Sequence, residues 1–341
     1  MRVLLALLAL ASVSAAPLSA QEGRVHVLIV TGLGGEPAEG RRFLAAGSVV
    51  HETARSRWGV ADSSLIFLAE RPADEPSRIS GRSTREEIGE RLLRLSRRVA
   101  PGDVLLVMLI GHGSGEGRES RVNLPGPDPA ASDWVGWLDG FAQQTVVMIV
   151  AASGSGDMLP VLSAPNRVVM TATKSASERN ASIFAGHMAQ GLGSGQADAD
   201  QDGVVSALEA FRFAKAGVAR SYEADKKLQT EHAMLDDNGD RLGSAEPGVP
   251  PSLDGALAQR VTFQRRAEST DPRIVALVAE RRALEAQLAE LRALTTDDLV
   301  RLSEMQEPRV AVQIDAGSFE HGLRQVDYIG RRSRQIEHFI R

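Results

Sequence analysis

The chain reads as an α/β protein, a three-layer sandwich built on a mainly parallel sheet with helices on both faces. Three observations predict it. Apolar, β-branched runs alternate with stretches of helical spacing between residues 24 and 240. Two central runs, DVLLVMLIG (103–111) and TVVMIV (145–150), are continuously apolar, as strands buried on both faces must be. The glycine-rich segments TGLGGE, GHGSGEG and AASGSG each follow a predicted strand. They therefore collect at the carboxyl edge of the sheet, where parallel sheets bind ligands.

Each element has its own local reason. VHVLIVTG (25–32) is the first predicted strand, its β-branched residues suiting a pleated surface. Residues 38–57 carry apolar side chains at helical spacing, and SLIFLAE (64–70) is the second strand. Ser83-Thr84-x-x-Glu87 starts a helix that runs to about 99, because a hydroxyl there can accept from a backbone N–H one turn on. Residues 103–111 form the third strand, 131–142 a helix, and TVVMIV the fourth strand. RVVMTAT (167–173) is the fifth, followed by helices over 180–192 and 206–222.

RLGSAEPGVPPSLDGA (241–256) is rich in Gly, Pro and Ser and predicts a linker to a helical C-terminal region, 257–341. Within that region Ile274, Leu277, Leu284, Leu288 and Leu291 recur at heptad spacing, interrupted by Arg281. An amphipathic helix over roughly 272–305 is expected, able to pack on the domain or to pair two chains.

Composition bounds the function. MRVLLALLALASVSAAPLSAQ has one positive charge, an apolar run and then small residues, so residues 1–20 are expected to be a signal peptide cleaved before Gln21. The mature chain is then periplasmic or secreted, with no later segment long and apolar enough to span a membrane. Loss of Arg2 takes the formal charge from −5 to −6, which argues against nucleic acid as a partner. The chain has 0 cysteines, which excludes disulfides, thiolate catalysis and Cys-ligated metals.

His112, in Gly111-His112-Gly113-Ser114, follows the third strand, and Ser153, in Ala151-Ala152-Ser153-Gly154-Ser155-Gly156, follows the fourth. If those strands are neighbours, an imidazole and a hydroxyl emerge at one edge and could form a base–nucleophile pair. The Gly113 backbone N–H could then face a substrate oxyanion. The structural alternative is a pair of tight turns.

A buried strand ending in G-H-G, followed one βαβ unit later by a buried strand ending in D-x-C-x-S-G, resembles the caspase/legumain-type cysteine peptidases. The resemblance covers about 24–240 and implies a caspase-like sandwich with His112 and Ser153 as a remnant dyad. Ser153 stands where the family has its Cys, and Ala151 where it has an acid. RVVMTATKSASERNASIF, the acidic loop at 198–209 and LQTEHAMLDDNGD resemble exported bacterial members of this superfamily that carry Ser instead of Cys. A serine cannot be drawn to its anion by an imidazole as a thiol can. It needs a base held by a third group. Glu116 and Glu119, close in sequence, could orient His112, as could Glu178 from the loop after the fifth strand, and none is specified by spacing. The expectation is an inactive peptidase homologue that binds a peptide or protein partner. The alternatives are a serine hydrolase using Ser153 and His112, or an assembly module organised by 272–305.

Asp198-Ala199-Asp200-Gln201-Asp202-Gly203-Val204-Val205-Ser206-Ala207-Leu208-Glu209 matches the calcium-loop pattern in full. Asp198, Asp200 and Asp202 would converge on one centre, with Gly203 making the turn. The Val204 carbonyl, Ser206 and Glu209 would complete a shell for a structural Ca²⁺. The alternative is an acidic loop capping the next helix. Asp236-Asp237-Asn238-Gly239-Asp240 is a weaker acidic cluster, read as an Asx-rich turn. Gly32-Leu33-Gly34-Gly35 lacks dinucleotide spacing and reads as a tight turn.

Overall fold

The computed structural model describes residues 23–264, together with Ala276 and Glu280. The expected signal peptide and nearly all of the expected 272–305 helix lie outside the described residues.

Among the described residues the strands, in chain order, are β1 (Val25–Thr31), β2 (Leu65–Ala69), β3 (Gly81–Arg82), β4 (Val104–Gly111), β5 (Gly113–Ser114), β6 (Arg121–Val122), β7 (Thr145–Ala152), β8 (Arg167–Thr171) and β9 (Met234–Asp236). The helices are α1 (Pro37–Ser56), α2 (Arg85–Ser96), α3 (Ala131–Leu138), α4 (Leu159–Leu162), α5 (Phe184–Ser194) and α6 (Ala207–Ala224). One sheet runs in the order β3-β2-β1-β4-β7-β8-β9, while β5 and β6 form a separate hairpin. All neighbours in the large sheet are parallel except β9, which runs antiparallel to β8.

The alternation of side chains splits the core into two layers. Val27, Ile29, Leu106, Met108, Val147 and Ile149 face one side, packed with Phe43, Phe184 and Phe211 of α1, α5 and α6. Leu28, Val30, Leu105, Val107, Met148 and Val150 face the other, packed with Leu92, Trp134 and Leu162 of α2, α3 and α4. This is the expected three-layer α/β sandwich. The Thr84 hydroxyl accepts from Glu87 N at 3.3 Å, so α2 begins where its cap residues predict.

At the amino edge a buried pair ties β1 to β4. His26 Nε2 lies 3.0 Å from Asp103 Oδ2, and the same carboxylate accepts from Arg24 N at 2.7 Å and Ala100 N at 2.8 Å. Burial alone would raise the Asp103 pKa. The N–H bonds and His26 outweigh it and hold the carboxyl below its ordinary value.

Two features differ from expectation. The strands β3, β5, β6 and β9 are two or three residues long, too short to carry a period in sequence. Residues 241–256 do not act as a free linker. Leu235 and Ser244 exchange backbone bonds of 2.9 and 2.7 Å, and Ala207 N and Leu208 N donate to Val261 O and Ala258 O. Ala258, Val261 and Phe263 are buried, and Phe263 stacks on Trp58 at 4.9 Å. The Gly and Pro turns let this segment wrap a surface, and three apolar anchors just beyond it hold it there.

Candidate functional site

β4 and β7 are adjacent and parallel, with Gly111 opposite Ala152. One residue further on, His112 and Ser153 leave the sheet at the same carboxyl edge, as the two apolar runs require. Their side chains then take separate partners. The half-buried His112 places Nε2 3.3 Å from Gly34 O, with its ring edge-on to Phe43 at 5.1 Å between centroids. Ser153 is 2% exposed, and its Oγ accepts from Gly113 N at 3.2 Å.

The N–H expected to serve an oxyanion is therefore turned onto the hydroxyl expected to serve as nucleophile. Gly113 has a packing reason for lacking a side chain, since a Cβ there would lie 2.2 Å from Ser153 O. Gly34, in the glycine turn after β1, contributes its carbonyl to His112 and so belongs to the wall of this edge.

The neighbouring small residues fasten β7 to β8. The buried Ser155 Oγ accepts from Ala172 N at 3.1 Å and Thr173 N at 3.3 Å, and Gly156 N donates to Thr173 Oγ1 at 3.0 Å. Asp157 joins the two loops flanking Ser153, with Oδ2 accepting from Gly117 N at 3.1 Å and Oδ1 from Ala176 N at 2.9 Å. A carboxylate just after a glycine-rich strand end is well placed to satisfy loop N–H groups, which is the sequence signal that could have found Asp157.

None of the three acids nearest in expectation serves His112. Glu116 lies 3.8 Å from Arg179, and Glu119 3.2 Å from Arg121. Glu178 Oε1 lies 2.5 Å from His232 Nδ1, while Oε2 accepts from Lys174 N at 3.0 Å and His232 N at 3.1 Å. The Glu178 backbone carbonyl also accepts from Gly154 N at 2.8 Å, so this pair adjoins the Ser153 turn. His232 lies within LQTEHAMLDDNGD, where the sequence assigned it no role. It reaches this edge because β9 is antiparallel, pairing Met234 with Thr171 at the end of β8. Beside it, buried Glu231 accepts from Ser182 Oγ at 2.5 Å and Ile183 N at 3.0 Å at the start of α5, and burial raises its pKa.

The acidic loop brings carboxylate oxygens of Asp198, Asp200 and Asp202 within 4.8 Å of one another, a group able to hold a metal ion. Gly203 turns with φ +87°, and Asp202 N donates to Asp200 Oδ1 at 3.2 Å. Glu209 Oε1 accepts from Ala199 N at 2.9 Å and Oε2 from Ser206 N at 2.8 Å, while Ser206 Oγ accepts from Glu209 N at 3.2 Å. The reciprocal Ser206–Glu209 bonds form a capping box for α6, and Val204 is buried beside it. The helix-cap geometry and the convergent aspartates thus occur in one loop. A donor set of hard oxygens suits Ca²⁺ or Mg²⁺ and disfavours softer metals.

A second acidic group combines Asp236, Asp240 and Asp254, again within 4.8 Å. Asp254 is 5% exposed, and its pKa is raised from 3.8 to about 6. Burial is the largest cause. The Asp237 N–H opposes it, and the charges of Asp236, Asp237 and Asp240 add to it. Sequence reading placed Asp236–Asp240 in one turn but left out Asp254, which arrives from the segment expected to be a linker.

Together these features define an α/β sandwich protein with a polar strand-end site and two acidic groups. No family model matches the chain, and no curated protein matches it. Among solved structures it is similar to protein GSU0716 from Geobacter sulfurreducens, at a TM-score of 0.40 and 10% identity over 62% of this chain and 92% of that one. Among the described residues no helix is long and apolar enough to cross a membrane.

Proposed function

We propose that this chain is a catalytically inactive relative of the caspase/legumain-type peptidases, exported to the cell envelope, where it binds a peptide or protein at the carboxyl ends of β4 and β7. The geometry of Ser153 carries this reading. Its buried hydroxyl is tied to Gly113 N, His112 is tied to Gly34 O, and among the described residues no carboxylate is hydrogen-bonded to the His112 ring. A serine lacking both base and orienting acid loses the activation on which such a nucleophile depends. The loops that a substrate would meet are nonetheless kept in place by Asp157 and Glu178. In this reading Ca²⁺ is the structural ion of the 198–209 loop.

The competing reading is a hydrolase that uses Ser153 and His112. A fluorophosphonate probe on the full-length, calcium-loaded protein separates the two. The inactive binder stays unlabelled, yet selects peptides from a displayed random library. Obstructing the rim at exposed Ser114 by Ser114→Trp should then abolish the selection. Labelling at Ser153 would overturn the proposal in favour of the hydrolase. Failure to select any peptide sensitive to Ser114→Trp would overturn the binding role.

A further inference from the structure

We infer that His232, oriented by Glu178, is the hydrogen-bond-accepting and base-capable imidazole of the strand-end site, and that its Nε2 receives an O–H or N–H donor of the bound ligand. The inference deepens the proposed function, on which it rests for the presence of a ligand at this edge.

The tautomer follows from the partner. An ionised carboxylate only accepts hydrogen bonds, so at 2.5 Å from Glu178 Oε1 the His232 Nδ1 carries the hydrogen. In this tautomer a neutral ring presents its lone pair at Nε2. Glu178 cannot swing away, because its other oxygen accepts from Lys174 N and His232 N and its side chain is only 10% exposed. The imidazole edge is open, with the His232 side chain 42% exposed and nothing among the described residues bonded to Nε2. Lys174 Nζ lies 3.8 Å from Glu178 Oε1, and Arg179 pairs with Glu116 at 3.8 Å. Position completes the argument. Glu178 O receives Gly154 N, and the antiparallel entry of β9 delivers His232 to the edge where β4, β7 and β8 end.

The other described imidazoles lack this combination. His26 is 3% exposed and bonded to Asp103, and His51 is buried with Nδ1 unpartnered. His187 Nε2 faces Ser221 Oγ at 2.9 Å, and His112 faces a carbonyl.

Diethyl pyrocarbonate tests the assignment on the full-length protein at neutral pH. An unprotonated imidazole nitrogen attacks a carbonyl carbon of the reagent, and the carbon–oxygen bond to the ethyl carbonate group breaks with its electron pair. The ring's other proton passes to solvent, and the carbonate collapses to ethanol and carbon dioxide. Peptide mapping should show His232 acylated about tenfold faster than His112, with Glu178→Gln slowing His232 by a similar factor and leaving His112 unchanged. The glutamine oxygen can still accept from Lys174 N and His232 N, so the variant retains those loop bonds. Nitrogen NMR supplies a readout that does not depend on reactivity, since the wild-type ring should be Nδ1–H and the variant ring, facing the glutamine N–H₂, should shift to Nε2–H. An Nε2–H ring in the wild type, or a His232 rate indifferent to Glu178→Gln, would overturn the inference. Library-selected peptides should protect His232 from acylation, and peptides that bind without protecting it would also overturn it. Correct tautomer and rates with no peptide selected would instead sink only the proposed binding function.

Discussion

Replacing Asp254 by asparagine removes one negative charge from a crowded, buried acidic group while keeping an oxygen to accept the 3.2 Å bond from Asp237 N. In the folded chain burial, reinforced by Asp236, Asp237 and Asp240 against the Asp237 N–H, raises the Asp254 pKa from 3.8 to about 6. At ~1.4 kcal/mol per pH unit, that difference corresponds to ~3 kcal/mol. The folded state holds this proton more tightly than the unfolded state. Its contribution to stability is therefore fully present below 3.8 and is lost as pH rises through about 6. At pH ~7.5 the wild type bears the whole cost of the ionised group. Asp254→Asn should relieve it, less ~1 kcal/mol for an amide N–H₂ without a good partner. Urea unfolding in chelator should show the variant more stable by ~1–3 kcal/mol at pH ~7.5, with the advantage vanishing towards pH ~4. Carboxylates remote from this group titrate alike in both proteins and cancel in the difference. A variant less stable than wild type at pH ~7.5 in chelator, or a difference independent of pH, would refute the reasoning. Adding Ca²⁺ gives a second arm: if the three carboxylates hold a cation, the wild type gains stability and the variant gains less.

Three further outcomes are expected. Asp103→Asn should cost ~1–3 kcal/mol at neutral pH, and the deficit should shrink as pH falls through the depressed folded pKa, since a lowered carboxyl stabilises only while ionised; unfolding at two pH values checks it. Gly113→Ala places a Cβ 2.2 Å from Ser153 O and should lower stability by more than ~2 kcal/mol, so an unchanged melting temperature would contradict the packing described for this edge. The wild type should gain ~2.7 kcal/mol at Ca²⁺ one-hundred-fold above Kd, and Asp200→Ala should lose the part due to the 198–209 loop, measured as the difference in thermal unfolding with and without chelator.

The frame of the protein was legible in its residues because each cue was local or periodic. Continuous apolar runs fixed β4 and β7 as doubly buried strands, while their being neighbours, a condition in the sequence, comes from their pairing in the sheet. The Thr84–Glu87 cap depends on residues three apart, so spacing alone revealed it; Ser206 and Glu209 have the same spacing but read first as calcium ligands, with capping of the next helix as the alternative. The shared edge of His112 and Ser153 was likewise fixed by strand direction. The hydrogen bonds made there were not, because they depend on how Gly34, Gly113 and Phe43 close around the strand ends.

Sequence by itself therefore determined the layers, the edge at which polar groups gather, the absence of cysteine and the acidic composition of the calcium-type loop. Tertiary structure alone decided that Glu178 serves His232, that Asp157 joins two loops, and that Asp254 enters the Asp236–Asp240 group. These partners are 54, 19 or more, and 14 or more residues apart, and no periodic pattern links them. The first and third meet because one short strand pairs antiparallel to β8 and because the segment after it folds back on apolar anchors. Both events are settled by long-range burial, which leaves no repeating mark in the chain.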